Sequence, residues 1–188
     1  KLNDINAYDI GPGNCMIDEW IRKNSKKKYD KDGLIAKSGM TDELILNQAL
    51  ENFEENSTYK KSLDIKDFDI FFAKGLSLEN GASTITNFTA TLIANGMKHA
   101  HKKRQSIIYK WLVCGGGRKN KYLLEIIKDT FQKISIELID QYEIDGDFVE
   151  SQAFGYLAIR SLLKLPISFP STTGCKRPST GGILVKNF

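Results

Sequence analysis

The chain has 188 residues, 41% of them hydrophobic and 10% aromatic, which is enough to bury a substantial core and matches the size of a single α/β domain. Its 27 basic and 23 acidic residues leave a formal charge of +4 spread along the sequence, with no basic arm of the kind that grips nucleic acid. No apolar run approaches the 18 residues of a membrane span, and no charged-then-apolar leader opens the chain, so neither a membrane protein nor a signal peptide is expected.

The first motif is Asp9-Ile10-Gly11-Pro12-Gly13-Asn14, a carboxylate beside a glycine-rich turn. The N–H groups of Gly11 and Gly13 can approach an anion without a Cβ in the way. Asn14 can cap a helix running through Met16, Ile17, Trp20 and Ile21. A phosphate site and a plain strand-to-helix turn both fit this pattern. The helix should end near Asn24, ahead of the basic run Lys26-Lys27-Lys28 and a solvent-exposed polar turn, Tyr29-Asp30-Lys31-Asp32-Gly33. That turn is faintly like a calcium loop, but the further ligands and the twelfth-position Glu of an EF-hand are absent.

Thr41 can cap a second helix, with Asp42 and Glu43 in its positive first turn and Leu44, Leu46, Ala49, Leu50 and Phe53 as apolar positions. Residues 54–69 turn polar and read as a surface connection anchored by Tyr59 and Phe68. A third helix is expected over 78–101, where Ala82, Ile85, Thr89, Leu92, Ile93 and Gly96 fall at helical spacing among small residues that permit close backbone packing. His99 and His101 lie two apart, on different faces of that helix, so a shared metal is not expected. The basic run from His99 to Arg104 lacks interleaved aromatics and reads as a solvated helix end.

Residues 107–114 have the β-branched and aromatic character of a buried strand and run straight into Gly115-Gly116-Gly117. Asn120 then precedes a helix carrying Tyr122, Leu123, Leu124, Ile126, Ile127 and Phe131. Three successive glycines between a strand and a helix expose several N–H groups and admit a large ligand, as a nucleotide's phosphates or ribose require. A tight βα turn is the alternative, although such a turn rarely needs three glycines. A second strand follows over 134–139, and Asp145-Gly146-Asp147 leads into a helix carrying Val149, Ala153, Tyr156, Leu157, Leu162 and Leu163. Glu150, on its first turn, can cap that helix or hydrogen-bond a polyol. In the tail, Pro170-Ser171-Thr172-Thr173-Gly174 reads as a loop and Gly181-Gly182-Ile183-Leu184-Val185 as one last strand. Cys15, Cys114 and Cys175 are odd in number and far apart, which argues for a reducing cytosol over a disulfide framework or zinc knuckle.

Three separated motifs resemble anhydro-N-acetylmuramic acid kinase in order and spacing: 9–14 with Asp18 and Trp20, Val113-Cys114-Gly115-Gly116-Gly117 with Asn120, and 145–147 with Glu150, Ala153 and Phe154. The turn at 29–33 and the run 170–174 also look like that family's, so the resemblance covers nearly the whole chain. It implies an α/β fold, a ribonuclease H-like lobe of the actin-like ATPase fold, with a mixed sheet and helices on both faces. Residues 1–188 would be the second, C-terminal lobe, and the first lobe would lie upstream of Lys1. The implied reaction is ATP-dependent opening of the 1,6-anhydro ring of anhydro-N-acetylmuramate with phosphorylation at oxygen 6, in cell-wall recycling.

By the same resemblance, Asp9 would be the general base that activates the water attacking the anomeric carbon. Glu150 and Asn14 would bind the sugar, and Gly11, Gly13, Gly115, Gly116, Gly117 and Asn120 would line ATP. Mg²⁺ would accompany the triphosphate, with no metal site of the chain's own. The implied partners are the sugar, ATP, the missing first lobe and a second copy of the chain, in the cytoplasm. Three departures stand out. Ile10 occupies a usual Thr position, Arg118-Lys119 and Lys121 replace Ala-Arg and Pro around Asn120, and the segment 61–66 keeps only the start of Lys-Ser-Thr-Gly-Arg-Glu. They leave a second expectation, a non-catalytic remnant acting at most as a nucleotide-binding or interaction module.

Overall fold

The computed structural model describes residues 5–56, 62–103, 110–131 and 134–185. Helices α1 (Cys15–Asn24), α2 (Leu34–Ser38), α3 (Glu43–Asn56) and α4 (Leu78–Lys103) precede strand β1 (Lys110–Val113). Helix α5 (Lys121–Thr130), strand β2 (Ser135–Leu138) and helices α6 (Val149–Leu162) and α7 (Pro170–Thr173) complete an α/β arrangement. No helix among the described residues is long and apolar enough to cross a membrane.

The one-sided pattern of Met16, Ile17, Trp20 and Ile21 buries all four on α1, each contributing about 1.5–3 kcal/mol by removal from water. They meet Ala82, Ile85, Phe88 and Leu92 on α4. A second apolar cluster joins Ala90 and Met97 of α4 to Leu123 and Ile127 of α5 and Ile136 of β2. Helix α4 therefore lies between α1, α2 and α3 on one side and α5 on the other. Its small residues serve contact: a Cβ at Gly81 would overlap the Trp20 indole, and one at Gly96 would overlap Ile10. The Trp20 indole N–H finds its acceptor in the Leu78 carbonyl, at 2.9 Å.

Several local expectations are revised. The turn at 29–33 is only partly solvated, because the buried Asp30 carboxylate accepts from the N–H groups of Ile35 and Ala36, both at 2.9 Å, at the start of α2. Asp42, not Thr41, receives the Ile45 N–H of α3 at 3.0 Å. Thr41 is drawn away to Ser83 and to the Asn87 amide of α4, at 3.0 and 2.8 Å. Leu44 faces solvent, whereas Phe53 packs inward and stacks on Phe68 at 5.7 Å. Tyr59 lies outside the described residues.

Strands β1 and β2 pair in parallel, with Trp111 opposite Ile136 and Val113 opposite Leu138. Strand β1 is not buried on both sides: Trp111 and Val113 pack against the second cluster, and Lys110 and Leu112 are exposed. Residues 107–109 lie outside the described residues. Among the described residues the sheet has these two strands, so the mixed sheet covered on both faces is not seen. Helix α6 forms as its periodicity predicts, yet none of its residues is buried. At the tail, 170–173 is helical, and residues 181–185 form no strand because no strand edge accepts them; the local pairing is an antiparallel bridge between Ser168 and Ser179.

The contact at Gly81 makes a prediction of sign. Helix propensity alone would make Gly81→Ala stabilising by about 1 kcal/mol, whereas overlap with Trp20 should reverse this to a loss of about 1–3 kcal/mol. Urea unfolding distinguishes the two, and a stabilised variant would show that α1 and α4 separate freely.

Candidate functional site

Because β1 and β2 are parallel, their carboxyl ends open on the same edge, which is where α/β sheets bind ligands. The first strand leads into Gly115-Gly116-Gly117, and the second into the loop that reaches Asp145-Gly146-Asp147. The Gly115 N–H donates to the Gly146 carbonyl at 2.9 Å, which joins the two loops. Gly115 has φ +73°, a left-handed value that favours glycine. A Cβ on Gly115, Gly116 or Gly117 would meet no atom within 4 Å, so packing gives no reason for three glycines in a row. Their Cβ sides face open space.

Arg118 follows the glycines with a side chain only 7% exposed. Its Nε and Nη2 donate to the Asp140 carboxylate at 2.9 and 3.2 Å, and its Nη1 donates to Asp147 at 2.6 Å and to the Gly115 carbonyl at 3.1 Å. Lys119 donates to the other Asp147 oxygen at 2.6 Å. Hydrogen bonds from Arg118, the largest cause for both, hold the Asp147 and Asp140 carboxyls below the usual carboxylate range.

Asn120 caps α5, its Oδ1 accepting from the Leu123 N–H at 3.1 Å, while its Nδ2 donates to Asn14 Oδ1 at 3.4 Å. Asn14 occupies the N-cap position of α1 without a side-chain cap bond, because its backbone is already helical and its amide turns to Asn120. Asn14, Gly116 and Asn120 line a cleft of about 1010 Å³ with Asp18, Asp30 and Lys31. Burial raises the pKa of Asp18 there, with Arg22 opposing and Asp30 adding to the shift. Gly33 borders the same region, since a Cβ on it would overlap Asn120 and Tyr122.

Asp9 sits elsewhere. Its Oδ2 accepts from Ser62 Oγ at 3.0 Å and from the Leu63 N–H at 2.9 Å, in a concavity of about 320 Å³ that Tyr8 and Gly11 also line. Gly11 has a packing reason, as its Cβ would fall 3.2 Å from the Leu92 Cβ, whereas Gly13 has φ +57° and open space around it. Gly13, Gly115, Gly117 and Glu150 line neither concavity. Glu150 is exposed on the first turn of α6, whose N-cap residue Phe148 carries no side-chain cap bond.

Sequence reasoning gave no site role to Ser62, Arg118, Asp140 or Gly146. Ser62 belongs to the part of segment 61–66 that keeps the family pattern, a signal that could have found it. The partners of Arg118 lie 22 and 29 residues away, and no local pattern links them.

The acid groups give a pH dependence. A carboxyl whose pKa is lowered by folding stabilises the fold above the unfolded value of about 3.9 and loses that contribution as pH falls through its folded value. The gap in melting temperature between the parent and Asp147→Asn should therefore be widest above about pH 4 and close on further acidification. Thermal melts across that range check it, and a gap independent of pH would remove the ion pair from the account.

The family model for anhydro-N-acetylmuramic acid kinase matches residues 2–187. The chain is 51% identical over 187 residues to the anhydro-N-acetylmuramic acid kinase of Pelagibacter ubique, a match covering 98% of this chain and 50% of that protein. The proteins of the same name from Rhizorhabdus wittichii and Zymomonas mobilis are 39% and 37% identical over 180 residues, each match covering 96% of this chain and 48% of the relative. The chain thus spans about half the length of the curated relatives it matches. With the family model matching residues 2–187, a span that includes the glycine loop and the Asp9 turn, the chain belongs to the anhydro-N-acetylmuramic acid kinase family.

Proposed function

We propose that this chain is the second lobe of an ATP-dependent kinase that opens and phosphorylates 1,6-anhydro-N-acetylmuramic acid during peptidoglycan recycling in the cytoplasm. The observation that carries the nucleotide half of this reading is the unpacked glycine run 115–117 at the joint carboxyl end of two parallel strands. The N–H groups of Gly116 and Gly117, with no Cβ in the way, suit the phosphates or ribose of ATP, and Gly116 and Asn120 share a cleft wide enough for such a ligand. Mg²⁺ supplies charge neutralisation to the triphosphate. Among the described residues no cluster of three or more His, Cys, Asp or Glu is placed to hold a metal.

Asp9 is proposed as the general base. Ser62 and Leu63 hold its Oδ2, and among the described residues no donor reaches Oδ1, which can accept a proton from water directed at the anomeric carbon. Oxygen 6 then leaves that carbon and attacks the γ-phosphorus of ATP, taking the phosphoryl group as ADP departs. Asn14 and Glu150 are proposed sugar contacts, and Gly11 and Gly13 are proposed to complete the anion-facing turn. Asp9 and Gly116 line different concavities of this chain, so the proposed reaction needs a cleft closed over both. The first lobe, with the ribonuclease H-like pairing it implies, is the proposed partner that closes it. A second copy of the chain is the proposed homodimer partner.

Phosphorylation of anhydro-N-acetylmuramate by ATP and Mg²⁺ should be assayed with this chain alone and with a first lobe from the same source. Turnover only in the mixture supports the reading, and none in either leaves a nucleotide-binding or interaction module. In the active mixture Asp9→Asn should lower kcat by about 10²–10⁴-fold with ATP binding nearly intact. Full activity in that variant removes Asp9 as the base.

A further inference from the structure

Arg118 stands beside the loop that the proposed function assigns to the nucleotide. Its guanidinium reaches four groups at once: the Gly115 carbonyl and the carboxylates of Asp140 and Asp147, within 2.6–3.2 Å, with an Asp145 oxygen at 3.6 Å. Those partners belong to both loops that leave the parallel strands. The second loop closes on the same fork, as the Gly146 N–H donates to Asp140 at 3.3 Å and the Gly146 carbonyl accepts from Gly115. Gly146 admits no side chain because a Cβ would overlap the Arg118 guanidinium. The three glycines, by contrast, touch nothing at their Cβ positions. Packing does not shape them, and glycine has the widest backbone freedom of any residue.

We infer that Arg118 is a positioning residue for nucleotide binding. Its planar fork ties loop 115–117 to loop 145–147 and holds the glycine backbone in one shape before the ligand arrives. The inference rests on the nucleotide reading of the glycine loop and adds the residue that gives the loop its shape. A lysine would keep the charge but not the fork, since an ammonium is a point charge without fixed in-plane donors. A loop that samples several shapes binds more weakly in proportion to the fraction that is competent.

Arg118→Lys and Arg118→Gln should be compared with the parent, each mixed with the first lobe from the same source, by amide hydrogen exchange and by titration with ADP and Mg²⁺. In both variants faster exchange is expected at Gly115 and Gly146, with the amides of Leu123 and Ile127 in α5 still protected, and an ADP dissociation constant raised about tenfold. Unchanged protection at Gly115 overturns the inference, and so does faster exchange with unaltered ADP affinity. A rise in exchange everywhere, or failure to fold in both variants, overturns it in favour of a general structural role. If the parent binds no ADP, the nucleotide reading fails and the positioning role with it. Exchange at Gly115 and Gly146 would then still report whether the fork joins the loops, so the two failures are distinguishable.

Discussion

Helix α4 leaves no room for a Cβ at Gly81 or Gly96, and these two close approaches align the whole N-terminal segment of the structure. At the Gly81 end, Trp20 of α1 lies against the helix backbone and donates to the Leu78 carbonyl. At the Gly96 end, Ile10 fills the space beside the glycine, and the Tyr8 hydroxyl donates to the Gly96 carbonyl at 3.2 Å. The turn carrying Asp9, Gly11 and Asn14 is therefore held at both ends by α4. Ile10 has a packing role here: its side chain occupies the groove that Gly96 opens.

The other side of α4 supports the strands. Ala90 and Met97 pack with Leu123, Ile127 and Ile136, so the same helix that seats the Asp9 turn also seats α5 and β2. Asn120 completes the connection, capping α5 with one side-chain atom and meeting Asn14 with another. One amide thus satisfies a helix end that would otherwise leave an N–H unpaired and brings the two glycine-rich segments together. Ordering a backbone costs about 1–2 kcal/mol per residue, and packing around their Cβ positions offers nothing to offset it at Gly115, Gly116 and Gly117.

A two-stranded parallel sheet with one open face is unusual, because parallel sheets are ordinarily covered on both sides. The exposed Leu112 of β1, the exposed Phe154, Ile159 and Leu162 of α6 and the exposed tail residues Ile183 and Leu184 all belong to apolar patterns that the sequence carries and the described structure does not bury. The chain spans about half the length of the curated relatives it matches.

Local pattern was sufficient for the helices and the order of elements. Periodicity places α1, α4, α5 and α6, Asn120 marks the start of α5, and β-branched runs mark β1 and β2, because each signal lies within a few residues of what it specifies. The glycine run and the Asp9 turn were also visible, along with the family to which they belong. Tertiary structure alone decided which candidate caps cap: Asp42 displaced Thr41 once α4 offered Thr41 better partners, and Asn14 turned from its own helix to Asn120. It alone placed Asp9 and Gly116 on separate concavities, left α6 uncovered and gathered Asp140, Asp145 and Asp147 around Arg118. Helix period and turn chemistry are properties of adjacent residues, whereas a hydrogen bond across 22 or 106 positions exists only after packing has brought its partners together.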